Sequence, residues 1–258
     1  MPERFKTQKM KISVITVCYN SEDTIADTLR SVACQNHSDI EHLVIDGSSS
    51  DNTVRIVEAN QHQNLILSSE QDEGIYDAMN KGLNRSNGDI ICFLNADDFY
   101  ASNSVLSRVA MQMSNHELDA LIADVGFFNP SNPKKIVRRY RSTRFTPERL
   151  ALGWMPAHPG LFLRKSVIDR VGHFKTDYKI AGDYEYIIRA FYGQDLKYQH
   201  LPEIIVNMQL GGISTVGLRA KIQLNKEVLR ACRENGINTN LLKILSKYPA
   251  KLMETIFK

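Results

Sequence analysis

The sequence predicts an α/β protein, a mixed and mostly parallel sheet flanked by helices, with a helical extension at the C-terminal end. Two observations carry this. Short β-branched runs alternate with amphipathic helical patterns four times over in the first half of the chain, and such alternation requires crossover helices between parallel strands. The last 40 or so residues hold long patterns of apolar and basic residues at helical spacing, with no strand signal.

Lys11–Cys18 (KISVITVC) reads as a buried strand. Asn20 or Ser21 is the expected N-cap of a helix carrying Ile25, Leu29, Val32 and Ala33. Ile40–Asp46 is a second strand, and Gly47–Asp51 the turn into a helix with Val54, Ile56 and Val57, for which Asp51 is the expected cap. Leu65–Ser69 is a third strand. Gly74 precedes a helix with Ile75, Ala78, Met79 and Leu83 that stops near Asn87-Gly88. Asp89–Leu94 (DIICFL) is apolar enough to be a central strand, and a helix (Val105–Met113) and strand (Ala120–Phe128) follow it. Beyond Phe128 the pattern is less regular. Trp154–Gly160 is a proline-broken loop before a strand at Leu161–Arg164, Ser166–Val171 is a short helix, and Ala181–Tyr184 leads into a helix over Glu185–Tyr192.

The 258 residues suffice for one large α/β domain or two small ones, and 43% hydrophobic with 24% charged residues is ordinary for a folded protein. A net charge of only +3 argues against nucleic acid as a partner. The charge is uneven: from Gly217 onward nine Lys/Arg stand against three Glu, a net of +6, which leaves −3 for the rest. Cys18, Cys34, Cys92 and Cys232 form no CxxC pair and are expected as free thiols in a reducing compartment. No stretch approaches a transmembrane length, and residues 1–10 are expected to be a disordered basic leader without a signal-peptide core. The expected location is therefore cytoplasmic.

In an open parallel sheet, ligands sit beyond the carboxyl ends of the strands. That rule singles out Tyr19 and Asn20, Asp46, Glu70–Asp72, and Asn95–Asp98, and gathers Asp46, Glu70, Asp72, Asp97 and Asp98 on one rim. The first strand is followed by Tyr19-Asn20-Ser21-Glu22 rather than GxGxxG, and no GxxxxGK[ST] occurs. The commonest modes of binding NAD and ATP are thereby excluded. Asn95-Ala96-Asp97-Asp98 places two adjacent carboxylates at a strand end. They suit a hard divalent cation whose shell a diphosphate completes, although Asp and Asn are also common in plain strand-end turns. Asp183, after Gly182, is either a helix cap or a reactive carboxylate. Lys134–Arg144 carries six basic residues and no acidic one, the pattern of a solvated hairpin face or of a surface for anionic groups. Leu241–Lys247, continuing through Leu252–Phe257, fits either an interfacial amphipathic helix or one packed on the body.

Taken together, SVITVCYN, VIDGSSSDNT, SEQDEGIYDAMNKG, FLNADD and AGDYEYIIR, in this order, resemble the family-two inverting glycosyltransferases of the GT-A (Rossmann-like) fold, across about residues 11 to 210. The third block resembles bacterial members that assemble O-antigen, capsule or colanic acid. The resemblance implies a nucleotide-sugar-binding half over 11–128, an acceptor-binding half of the same domain over 129–215, and a basic helical extension over 216–258. It implies that Tyr19 and Asn20 line a uridine pocket, that Asp46 accepts a hydrogen bond from the uracil ring, and that Asp72, Asn80, Lys81, Asn95 and Ala96 lie toward the nucleotide sugar. Asp97 is implied as ligand to a divalent metal, Mn2+ or Mg2+, and Asp98, Trp154 and His158 as facing the acceptor. Asp183 takes the place of the catalytic base. Asn95 departs from the family's more common Asp, which removes one charge from the metal region. The implied reaction is transfer of glucose or galactose from a UDP-sugar, with a β linkage, to GlcNAc on undecaprenyl diphosphate. Its implied place is the cytoplasmic face of the bacterial inner membrane, to which the chain would bind peripherally. A sugar nucleotidyltransferase would show a Gly-rich basic loop after the first strand, which YNSED is not. A non-catalytic homologue would not need both Asp97 and Asp183, and a surface-binding protein would not need the acidic rim.

Overall fold

A computed structural model describes residues 10–211 and 217–248. In chain order the elements are β1 (Ile12–Cys18), α1 (Ile25–Ala33), β2 (Ile40–Asp46), α2 (Thr53–Ala59), β3 (Leu65–Ser69), α3 (Ile75–Arg85), β4 (Ile90–Phe93), β5 (Phe99–Tyr100), α4 (Val105–Asn115), β6 (Ala120–Asn129), β7 (Asn132–Tyr140), β8 (Leu161–Arg164), α5 (Lys165–Val171), α6 (Gly182–Phe191), β9 (Tyr198–Gln209), α7 (Gly217–Glu234) and α8 (Leu241–Leu245). Short 3-10 turns occupy Pro147–Leu152 and His158–Gly160.

One nine-stranded sheet organises the molecule, in the order β3-β2-β1-β4-β8-β6-β9-β5 with β7 added on β6. The β3-β2-β1-β4 half is parallel throughout. β8 then enters antiparallel between β4 and β6, while β9 runs parallel to β6. β5, β7 and β8 alone oppose the common direction, so the sheet is mixed and mostly parallel.

All seven residues of β1 and all seven of β2 are buried, as expected of strands covered on both faces. Their alternation sorts the core into two layers. Ile15, Val17, Leu43 and Ile45 pack with Met79 and Leu83 of α3 and with α6. Ile12 and Val14 turn the other way, toward Val32 of α1 and Val105, Val109 and Met113 of α4. Val228, Ala231 and Cys232 of α7 and Ile244 of α8 join the first layer, so the helical extension is part of the main core.

Several expectations change. α1 starts at Ile25, after Thr24 rather than after Asn20 or Ser21. The polar groups of those two residues are engaged across the rim: the Asn20 amide oxygen accepts from Ser50 N (2.9 Å), and Ser21 N donates to Thr53 Oγ1 (2.7 Å). The N-cap of α2 is Asn52 rather than the expected Asp51, whose carboxylate accepts from Thr53 N (2.9 Å) from one residue further out. β5 and β9 carried no clear sequence signal. β9 is buried at few positions and bulges against β6 near Asp124, so its alternation is broken. Met10, counted with the leader, is buried, and its carbonyl accepts from His37 Nε2; residues 1–9 lie outside the described residues. The boundary expected near Phe128 falls inside β6. In α8, Ile244 is buried and Leu242 is 80% exposed; the continuation to Phe257 lies outside the described residues.

Candidate active site

The ends of β1, β2 and β3 bring the first three rim segments together. Asp46 closes β2 and is fully buried. Its Oδ1 accepts from Ser49 Oγ (2.5 Å), and its Oδ2 from Ser49 N (3.0 Å) and Ser69 Oγ (2.6 Å). Burial, reinforced by the charges of Asp46, Asp51 and Asp72, pushes the Cys18 thiol far up. Asp72 lies directly over Gly47, and its Oδ1 accepts from Gly74 N (2.8 Å). Tyr19 is exposed at 63%, free to lie against a flat ligand.

The rim also stores backbone strain. Asn20 (φ 47°) and Ser48 (φ 61°) both adopt left-handed conformations. Such conformations cost free energy for residues with a Cβ and concentrate in ligand-binding loops. Asn20 N donates to Ser49 Oγ (2.8 Å), locking the two strained turns together.

Two residues expected near the nucleotide sugar are used internally. The Asn80 amide pairs both ways with the Phe174 backbone, donating to its carbonyl (2.9 Å) and accepting from its N–H (2.8 Å). Lys81 donates to the Gln71 carbonyl (2.6 Å) and pairs with Asp77, steadying the segment that carries Asp72.

At the end of β4, Asp98 is buried and Asp97 part-buried. Asp98 accepts from Asn95 Nδ2 (3.1 Å) and from Gln209 N at the end of β9 (3.3 Å). Burial and the neighbouring Asp97 push its carboxyl well up, and burial raises Asp97 as well. Two adjacent carboxylates held out of water stabilise a cation placed beside them. No cluster of three or more His, Cys, Asp or Glu ligands exists among the described residues. The donor set thus fits a hard divalent ion only when a diphosphate supplies most of its oxygens. Asp97 would hold it, while Asp98 is turned inward. Ala96 is buried beside them.

Asp183 stands part-buried in the first turn of α6. Burial pushes its carboxyl up to about 6, against the Tyr184 N–H that lowers it, and Glu227 adds to the rise. Gly182 is required there, since a Cβ would come within 2.6 Å of the Tyr76 ring. Glu185, the nearest other carboxylate on α6, is fully buried and pairs with Lys175 and Arg189. It is not available as a base.

His158 packs on Phe93 (ring centroids 5.2 Å apart) and on Phe174 (6.2 Å). Burial lowers its imidazole to about 4. It is neutral at physiological pH, able to hydrogen-bond a ligand but not to neutralise one. Trp154 is half-buried just after Gly153. Phe174 stacks on Tyr186 at 4.0 Å and on Tyr76 at 5.9 Å, which continues the aromatic floor from β4 to the head of α6. The contributions of Ser49, Ser69, Tyr76, Gln209 and Glu227 were not foreseen. The serines had a signal in the Ser-rich turn; Glu227 had none, because a glutamate on an amphipathic helix reads as solvent-facing.

Residues 13–180 match the model of the family described as Glycosyl transferase family 2. The chain is 28% identical over 207 residues to the PGL/p-HBAD biosynthesis glycosyltransferase of Mycobacterium tuberculosis H37Rv, covering 78% of each chain. Among solved structures it resembles S. aureus TarS 1-349 in complex with UDP-GlcNAc, with a TM-score of 0.72, 22% identity, and coverage of 90% of this chain and 68% of that one. It spans 65% of the TarS fragment in another of its structures and 39% of the longer TarS chain. It also resembles the mannosyltransferase PcManGT of Pyrobaculum calidifontis in complex with GDP-Man and Mn2+, with a TM-score of 0.67, 19% identity, and coverage of 88% of this chain and 64% of that one. The mixed sheet, its carboxylate rim and the match over residues 13–180 lead to one conclusion: the chain has the GT-A fold and belongs to glycosyl transferase family 2, a family of glycosyltransferases.

Proposed function

We propose that the chain is an inverting glycosyltransferase that uses Asp183 as its base and moves a hexose, glucose or galactose, from a UDP-sugar to a sugar carried on a lipid diphosphate. The observation that carries this reading is the part-buried Asp183 carboxylate at the head of α6, raised to about 6, in a chain whose strand ends also carry Asp97. A base poised near the operating pH removes a proton efficiently. Asp183 takes the acceptor hydroxyl's proton as that oxygen bonds to the anomeric carbon, and the bond from that carbon to the diphosphate breaks. Attack and departure on opposite faces invert the centre, so an α-linked donor gives a β linkage. Asp97 would hold a divalent ion, which would offset charge on the diphosphate when bound. Tyr19, Asn20 and Asp72 border the nucleoside end, and His158 and Trp154 the acceptor end.

UDP is favoured because TarS, a neighbour in fold, was solved with UDP and with UDP-GlcNAc. The PcManGT complex with GDP-Man and Mn2+ supports a second reading, with a GDP-sugar donor. For the acceptor we favour GlcNAc on undecaprenyl diphosphate, in assembly of O-antigen or a related repeat unit. This would place the protein on the cytoplasmic face of the inner membrane. Support comes from the net +6 beyond Gly217, with Leu218 (74% exposed) and Leu242 (80%) on its surface. No helix among the described residues is long and apolar enough to cross a membrane.

The test is nucleotide release from UDP-glucose, UDP-galactose, UDP-GlcNAc and GDP-mannose with GlcNAc-diphosphate-lipid as acceptor, with and without Mn2+, beside Asp183→Asn. Acceptor-dependent release that vanishes in the variant supports the reading and identifies the donor. Full activity in Asp183→Asn removes the base assignment, and nucleotide binding without turnover of any donor points to a binding homologue.

A further inference from the structure

The backbone leading into α6 is held from outside the helix. Glu227, on α7 and 4% exposed, accepts at Oε1 from Lys179 N (3.0 Å) and at Oε2 from Ile180 N (2.8 Å) and Ala181 N (2.8 Å). Gln223 Nε2 donates to the same Oε1 at 2.7 Å. The next N–H, that of Gly182, donates to Tyr76 Oη (2.8 Å), whose own hydroxyl donates to the Ile180 carbonyl (2.8 Å). Four successive peptide N–H groups before Asp183 therefore end on two side chains, one from α3 and one from α7.

A buried carboxylate is costly unless its charge is compensated. Here the compensation comes from peptide dipoles and an amide, and no ion pair to Glu227 is found among the described residues. An apolar residue would fill the space at less cost, but it would leave three N–H groups without acceptors. The residue also lies outside the stretch that matches the family model, residues 13–180.

We propose that Glu227 is a positioning residue for sugar transfer, fixing the Lys179–Ala181 backbone together with Tyr76 so that Asp183 is presented at the head of α6. The inference rests on Asp183 being the base. The groups facing Asp183 are the Tyr76 hydroxyl from α3, Glu227 from α7 and the Tyr184 N–H of its own helix. Glu227 thus also sets part of the field in which Asp183 gains and loses its proton.

The test uses Glu227→Gln, which keeps the shape and loses the charge, Glu227→Asp, which keeps the charge on a shorter arm, and Tyr76→Phe. Carboxyl-carbon NMR follows the Asp183 titration, its signal identified by its absence in Asp183→Asn. Steady-state kinetics use the best donor of the panel above, and UDP affinity is measured by calorimetry. In Glu227→Gln we expect kcat to fall roughly 10- to 100-fold with donor KM and UDP Kd within about twofold of wild type. We also expect the Asp183 midpoint to move down, with Glu227→Asp restoring the midpoint. Wild-type kcat with an unmoved midpoint overturns the proposal, as does a parallel loss of kcat, KM and UDP binding. If Glu227→Gln does not fold, Tyr76→Phe and Glu227→Asp decide by the same kcat-against-KM criterion. An active Asp183→Asn removes the base reading itself, whereas an inactive Asp183→Asn beside a wild-type-like Glu227→Gln removes only the role of Glu227.

Discussion

Asp72 sits so closely over Gly47 that a Cβ at position 47 would lie 2.3 Å from its Oδ2. The turn after β2 and the loop after β3 are thus shaped to each other. The absent side chain of Gly47 is what lets the Asp72 carboxylate close over the β2 turn.

Gly47→Ala should therefore push Asp72 off the rim while leaving the sheet intact. We expect UDP affinity to weaken about 5- to 30-fold, corresponding to roughly 1–2 kcal/mol, with an unchanged circular dichroism spectrum. Calorimetric titration with UDP checks this, and wild-type affinity would separate Asp72 from nucleotide binding.

Asp183 is competent as a base only when ionised, so kcat should rise with pH through about 6 and level off above it. The same shift has a stability consequence. The folded carboxyl holds its proton to higher pH than the unfolded one, so the contribution of Asp183 to folding stability falls as pH rises from about 4 to about 6. Asp183→Asn should remove activity by a factor of about a thousand or more and yet raise the thermal midpoint at pH 7.5. Calorimetric melts at pH 4.5 and 7.5 read out the sign.

Asn95 Nδ2 donates to Asp98, so Asn95→Asp replaces a hydrogen bond with a third carboxylate beside Asp97 and Asp98. Without metal the variant should melt several degrees lower. Mn2+ should restore it by more than it shifts the wild type, because only a cation offsets the added charge. Equal Mn2+ shifts in the two proteins would argue that position 95 lies outside the metal's reach.

On β6, the buried Asp124 accepts from Arg139 Nε (2.8 Å), His200 Nε2 (2.7 Å) and Ser142 N (2.8 Å), pinning β7 and β9 at the bulge. Arg139→Met removes one partner of a buried carboxylate from a side chain that is itself 35% exposed, so it should cost about 1–2 kcal/mol and lower the urea midpoint accordingly.

The parallel half of the sheet was legible because β1, β2 and β4 are short runs rich in β-branched and apolar residues that alternate with helical patterns, and the rule that ligands gather at strand ends then picks out Asp46, Asp72 and Asp97. The roles of Asn80 and Lys81 were not legible. Both lie in a block that resembles the family's, but their partners, Phe174 and Gln71, are fixed by how α3 packs. β9 escaped notice because its bulge breaks the period of two. Glu227 escaped because a buried glutamate that binds backbone N–H groups has the same sequence surroundings as one facing water.

The paired hydrogen bonds of Asn80 with Phe174 and the Tyr76 link to Ile180 and Gly182 join α3 to chain about 100 residues further on. Chimeras built by exchanging halves between relatives at residue 128 would separate those partners at a single cut. A working hybrid would have to carry α3 along with the segment that follows α5, so the natural unit of exchange in this protein is discontinuous in sequence.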